Sequence, residues 1–168
     1  MCGMNTKQYN IVVDKFADSV YRFILSNIKD EFLAQDIVQD SFEKLWLNHE
    51  NIEFDKAKSF LFKTAYNRMI DNLRHIKVVN EAGKEFLLNT NIQYNQNEQM
   101  ELSQILNLAL LKLNETQRAV VLLRDYEGYT YEEISEITGL SESQVKVYIF
   151  RARQNLKNFL VSYKEIIR

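Results

Sequence analysis

A chain of 168 residues that is 46% hydrophobic and 26% charged, with a net charge of −2, has the makeup of a folded globular protein, one ordinary domain or two small ones. No apolar run approaches the roughly 20 residues needed to span a bilayer, and the start MCGMNTKQYNIVVDKF lacks the basic-then-apolar order of an export signal, so the cytoplasm is the expected compartment. Cys2 has no cysteine to pair with, and it shares no ligand spacing with His49 and His75, so neither a disulfide nor a metal site is expected.

Proline is absent and there are only four glycines, which makes helix the expectation throughout. In YNIVVDKFADSVYRFILSNI, Ile11 or Val12, Phe16, Val20, Phe23, Ile24 and Ile28 recur at helical spacing and predict a first helix with one buried face. Asp30 is placed to cap a second, EFLAQDIVQDSFEKLWLN, with an apolar stripe through Leu33, Ile37, Val38, Phe42, Leu45 and Trp46 and acids on its other face. A third run, KAKSFLFKTAYNRMIDNLRHIK, lines up Phe60, Leu61, Ala65, Met69, Ile70 and Leu73, and its exposed positions are mostly basic. Three such stripes close around one core over roughly residues 8 to 77.

The next stretch, NEAGKEFLLNTNIQYNQNEQ, loses the period and fills with Asn and Gln, the composition of a linker, with Phe86, Leu87 and Leu88 able to dock as a short helix. The expected fold is therefore all-α, two small helical domains joined by a flexible linker: residues 1–77 as a three-to-four-helix bundle, 78–99 as the linker, and 100–168 as a four-helix domain. In the second domain the helix starts are legible. Asn114 with Gln117, Thr130 with Glu133, and Ser141 with Gln144 each set a capping side chain three residues before a Glu or Gln, and Gly139 supplies the stop between the last two helices. The result is a helix-turn-helix.

Its last helix seats Val145, Ile149, Ala152, Leu156 and Leu160 on one side. The other side carries Ser143, Lys146, Val147, Phe150, Arg151 and Gln154, with Arg153 and Lys157 on the margins. A helix fits the roughly 12 Å major groove of DNA, its first turns reaching base edges while cations meet phosphates. Overall acidity is no obstacle, because binding to DNA depends on local basic surface.

Together, AQDIVQDSFEKLW and SFLFKTAYNRMIDNLR in the first half and LNETQRAVVLLRDYEGYTYEEISEITGLSESQVKVYIFRARQNLK in the second resemble the extracytoplasmic-function (ECF) sigma factors of bacterial RNA polymerase, group IV of the sigma-70 family. The resemblance implies a protein that is not an enzyme and takes no cofactor. Its first domain (sigma domain two) binds core RNA polymerase and opens promoter DNA at the minus-ten element, and its second (sigma domain four) reads the minus-thirty-five element. By resemblance Asp36, Gln39, Asp40 and Phe42 dock on the polymerase. Lys63, Tyr66, Asn67, Arg68, Asp71, Arg74 and Lys77 belong to the melting surface, with the 48–55 loop beside Tyr66 and Asn67 as a base-capturing region. Ser141, Ser143, Gln144, Lys146, Val147, Phe150, Arg151 and Arg153 face the upstream element. Core packing is the competing expectation for Phe42 and the favoured one for Trp46, and Asp71 has an intrahelical ion pair with Arg68 or Arg74 open to it.

Val147 and Tyr148 stand where many members carry Ser and Arg, so base preference does not transfer. Such factors are commonly held by a membrane-anchored anti-sigma factor, which kinship adds as a partner; no small-molecule substrate is implied. Elements two helical turns of DNA apart lie roughly 70 Å from each other, within reach of a linker of about 22 residues that extends to at most ~75 Å. The same linker lets the free chain fold its domains together and hide basic faces until polymerase separates them. An autonomous DNA-binding regulator leaves the first domain unexplained, and a metal-dependent nuclease using Asp36, Asp40 and Glu43 rests on an acidic row that is more often a solvated or docking face.

Overall fold

The computed structural model describes residues 3–82 and 102–166, and every element among them is helical. Helices α1 (Thr6–Ile28), α2 (Glu31–Leu47) and α3 (Ala57–Ala82) form an N-terminal bundle, with two 3₁₀ turns, His49–Asn51 and Phe54–Lys56, between the last two. The C-terminal bundle consists of α4 (Leu102–Leu111), α5 (Glu115–Val121), α6 (Tyr131–Thr138) and α7 (Glu142–Ile166), with a π turn, Leu122–Tyr126, closing α5. Helix α3 runs to Ala82, five residues beyond the boundary expected at 77. The rest of the expected linker, with Phe86, Leu87 and Leu88, lies outside the described residues.

The caps explain most helix starts. Asp30 accepts the Leu33 amide at 2.9 Å, and the reciprocal boxes form at Thr130/Glu133 and Ser141/Gln144. Asn5 and Gln8 form a further box that starts α1 earlier than the apolar stripe indicates. At Asn114 only half the box exists. The side chain accepts the Gln117 amide at 2.8 Å, but the Gln117 side chain is buried and meets Asn155 on α7 at 3.5 Å instead. Gly139, at φ 76°, takes the left-handed conformation that lets α7 leave α6 at a steep angle.

The N-terminal core is built from Val20, Phe23 and Ile24 of α1, Ile37 and Leu45 of α2, and Leu61, Phe62 and Met69 of α3. It does not end at the domain boundary: one hydrophobic cluster continues through Ala119, Val120, Leu123, Tyr129 and Ile134. The bundles are packed together, α3 against α6 and α1 against α5. At the apolar centre of the seam the Phe62 and Tyr129 rings meet edge to face at 5.3 Å, and the Lys58 ammonium lies 4.2 Å over the Tyr129 ring.

Polar contacts close one end of that seam. Lys29 donates to Asn107 at 3.0 Å and Lys77 pairs with Glu115 at 2.7 Å. Arg118, only 9% exposed, donates to the carbonyls of Leu110 (2.8 Å), Leu113 (2.8 Å) and Leu111 (3.4 Å) at the end of α4, and across the seam to that of Asn27. These carbonyls include helix-terminal ones with no intrahelical partner, and a guanidinium has enough donors to collect several at once.

Candidate nucleic-acid interface

The first turns of α7 are held rigidly. Val145, Ile149 and Ala152 are buried against the rest of the bundle, and the Ser141 box fixes the entry. Ser143, Lys146, Val147, Phe150, Arg151 and Gln154 are all exposed, as their spacing predicts. Three of the expected contact residues have other tasks. Ser141 and Gln144 cap the helix, and Arg153 makes a two-pronged pair with Asp125 of the π turn, at 2.5 and 3.0 Å, a hydrogen bond that raises its pKa above the usual value. Lys146 pairs loosely with Glu142 at 3.6 Å. Both ion pairs are exposed and contribute at most about 1 kcal/mol, so a phosphate can replace the carboxylates.

On α3, Lys63, Asn67, Asp71 and Arg74 lie along an exposed stripe at positions i, i+4, i+8 and i+11. Among the described residues no ion pair joins Asp71 to Arg68 or Arg74; Arg68 meets Asp40 at 3.4 Å, and Lys77 is taken by Glu115. Tyr66 departs from the expectation of a presented aromatic. It is buried on the side of α3 that faces the C-terminal bundle, and burial raises its hydroxyl pKa, with Arg74 pulling it down and Tyr148 of α7 pushing it up. Folding the bundles together thus covers one part of the surface expected to melt DNA and leaves the α7 face open.

The same division runs through α2. Asp36 and Gln39 are exposed, while Asp40 is half-buried between Lys44 and Arg68, 3.4 Å from each, and ties α2 to α3. Phe42 is a core residue, 9% exposed, with its carbonyl accepting from the Tyr9 hydroxyl at 3.1 Å. The aromatic that shares the open face with Asp36 and Gln39 is Phe32, 88% exposed and one helical turn before Asp36. Sequence reasoning missed it, although Phe32, like Leu47 at the end of the same helix, is a large apolar residue of α2 that falls opposite the buried stripe. Trp46 is half-exposed, stacked on His49 at 4.4 Å and edge-on to Tyr9 at 4.9 Å. Among the described residues no three His, Cys, Asp or Glu side chains converge as metal ligands, and no helix is long and apolar enough to cross a membrane.

The turn at 49–52 is braced by the chain preceding α1. The amide of Met4 donates to the carbonyls of His49 (2.7 Å) and Ile52 (3.0 Å), and Met4 is buried. A Cβ on Gly3 would stand 1.7 Å from the Glu50 carbonyl oxygen, so only glycine fits there without movement. Gly3→Ala is expected to displace this turn and lower stability by about 1–3 kcal/mol, the usual cost of overpacking, measured as a shift of the urea midpoint.

The two halves of the chain match separate family models in this order: residues 12–77 match Sigma-70 region 2, and residues 103–156 match Sigma-70, region 4. Among curated relatives, the ECF RNA polymerase sigma factor SigM of Bacillus subtilis is 30% identical over 148 residues, 87% of this chain and 91% of that one. The ferric citrate uptake sigma factor FecI of Escherichia coli is 28% identical, with 84% of each chain covered. Among solved structures, the sigma factor RpoE of Bartonella quintana, crystallised with the anti-sigma factor NepR, is 25% identical and superposes with a TM-score of 0.77 over 92% of this chain and 98% of its own. CnrH in complex with the cytosolic domain of CnrY shares the fold at 21% identity, with a TM-score of 0.66 over 94% of this chain and 90% of that one.

Proposed function

The chain belongs to the ECF RNA polymerase sigma factors of the sigma-70 family, and from that premise we propose a division of its role in transcription initiation among particular residues. Residues 1–82, to the end of α3, act as sigma domain two, 83–99 as the linker and 100–168 as sigma domain four. The face of α2 with Phe32, Asp36 and Gln39 docks on core RNA polymerase. Carboxylate and amide groups around an exposed aromatic anchor suit a protein interface, whereas Phe42 holds the core behind it. The exposed stripe Lys63, Asn67 and Arg74 holds the opened minus-ten strand, and Tyr66 joins it once the bundles part. Ser143, Lys146, Val147, Phe150 and Arg151 enter the major groove at the minus-thirty-five element. The polymerase supplies the chemistry, and this chain supplies none of its own. An anti-sigma factor is a further partner, supported by the RpoE relative that was crystallised with one.

The observation that carries this reading is the pairing, in one chain and in family order, of an α2–α3 bundle with a helix-turn-helix whose groove-sized face is free and flanked by cations. Transcription from fragmented genomic DNA by core polymerase plus this protein is the direct test: discrete starts are expected, and failure to bind core enzyme would overturn the reading. Phe32→Ala is expected to weaken that binding about tenfold with no change in thermal stability, as for an interface anchor. Phe42→Leu, a near-isosteric core change, is expected to leave binding unchanged. Equal affinity of wild type and Phe32→Ala would remove Phe32 from the interface.

A further inference from the structure

The open face of α7 has two apolar residues at its centre. Val147 is 46% exposed and Phe150 68% exposed, opposite the buried line of Val145, Ile149 and Ala152. Around them lie Ser143, Lys146, Arg151 and Gln154, all exposed. Three residues apart on a helix, the pair is separated by about 4.5 Å of axial rise, comparable with the ~3.4 Å step between base pairs. Both side chains are conformationally cheap to fix: valine is stiff at χ1, and phenylalanine has two rotatable bonds.

A side chain without donors or acceptors does not read a hydrogen-bonding base edge; it covers one, at the cost of leaving that edge unpaired. The major groove presents one apolar group, the C5 methyl of thymine. Resting on the reading of α7 as the groove helix, we propose that Val147 and Phe150 are specificity-determining residues that read thymine methyl groups in the minus-thirty-five element. The flanking cations commit the surface to DNA. Lys146 and Arg151 border the apolar pair where phosphates line the groove, a charge arrangement that fits a polyanion.

The experiment begins with holoenzyme reconstituted from core polymerase and the full chain, selecting active promoters from a library randomised across the upstream element. Duplexes carrying the recovered element are then made with single thymines replaced by deoxyuridine, which removes only the methyl. The proposal expects at least one thymine whose replacement lowers holoenzyme affinity about fourfold, the worth of one buried methyl. It also expects that penalty to vanish in Val147→Ala or Phe150→Ala, while the salt dependence of binding, set by phosphate contacts, is unchanged. These substitutions are at exposed positions, so unchanged melting temperatures confirm intact folding of the variants. A recovered element that tolerates deoxyuridine at every position overturns the proposal and leaves the groove-helix reading standing. A penalty equal in wild type and both variants also overturns it. A library that yields promoters with no upstream preference removes the groove-helix reading and the proposal together.

Discussion

Arg118→Ala is expected to lower the stability of the C-terminal bundle by about 2–5 kcal/mol, because buried carbonyls lose their charged donor. The side chain is almost wholly buried, and its fork holds the carbonyls of Leu110, Leu111 and Leu113 together with that of Asn27 in the other bundle. Deleting it takes the donor from two buried carbonyls, those of Asn27 and Leu113, each costing about 1–3 kcal/mol when unpaired, and from the part-buried carbonyl of Leu111. Arg118→Lys keeps the charge but not the planar fork, and is expected to recover only part of the loss. Urea titration of wild type and both variants reads the effect as a shift in midpoint. Lys77→Ala, which removes an ion pair exposed on the lysine side, is the contrasting case, with an expected change of at most about 1 kcal/mol. A wild-type midpoint for Arg118→Ala would show that water satisfies those carbonyls and that the side chain is dispensable.

Arg118 also marks where the sequence stops being informative. Nothing local announces that an arginine in NETQRAVV is buried, because its partners sit at the ends of α1 and α4. Features set within four residues were legible: the caps at Asp30, Thr130 and Ser141, the turn at Gly139, and the buried stripe of α7. The capping box at Asn114 was half legible, since its second half is decided by Asn155 on α7. Arg153 was expected on the DNA face for the same reason, its partner Asp125 being 28 residues away.

The candidate surfaces divide along the same line. Periodicity alone orders the exposed face of α7 correctly, because one helix packed on one side has only one way to present the remainder. On α2 the apolar stripe already included Phe42, so its burial was legible, while Phe32 went unread because family resemblance drew the docking face further along the helix. Tyr66 was expected on an exposed DNA surface and is buried instead. No pattern within α3 encodes its present cover, which comes from α6 and α7.

Tyr129→Ala is expected to part the two bundles, and Tyr129→Phe to bind them more tightly. The ring sits in the seam against Phe62, beneath Lys58, so its removal leaves a cavity costing about 3–5 kcal/mol at the contact that joins the domains. The hydroxyl has the opposite effect. Among the described residues it finds no protein partner, and the same holds for Oε1 of Glu127 and Oδ1 of Asn27, both near the seam. An unpaired buried polar group costs about 1–3 kcal/mol, and opening the seam returns these groups to water. Burial raises the Glu127 pKa above the usual 4.5, against the pull of Arg22 and Lys58. A raised carboxyl pKa means that the closed form favours the protonated acid. The penalty is absent below pH 4.5, appears as pH rises through the raised value, and is fully present above it. Glu127→Gln is therefore expected to tighten the seam near neutrality and to flatten this part of its pH dependence. Small-angle scattering reads all three variants: a larger radius of gyration for Tyr129→Ala, and no increase for Tyr129→Phe or Glu127→Gln. The last two should also start transcription more slowly with core polymerase, because Tyr66 is released only when the seam opens. Faster initiation by Tyr129→Phe would mean that the closed arrangement does not restrain the factor.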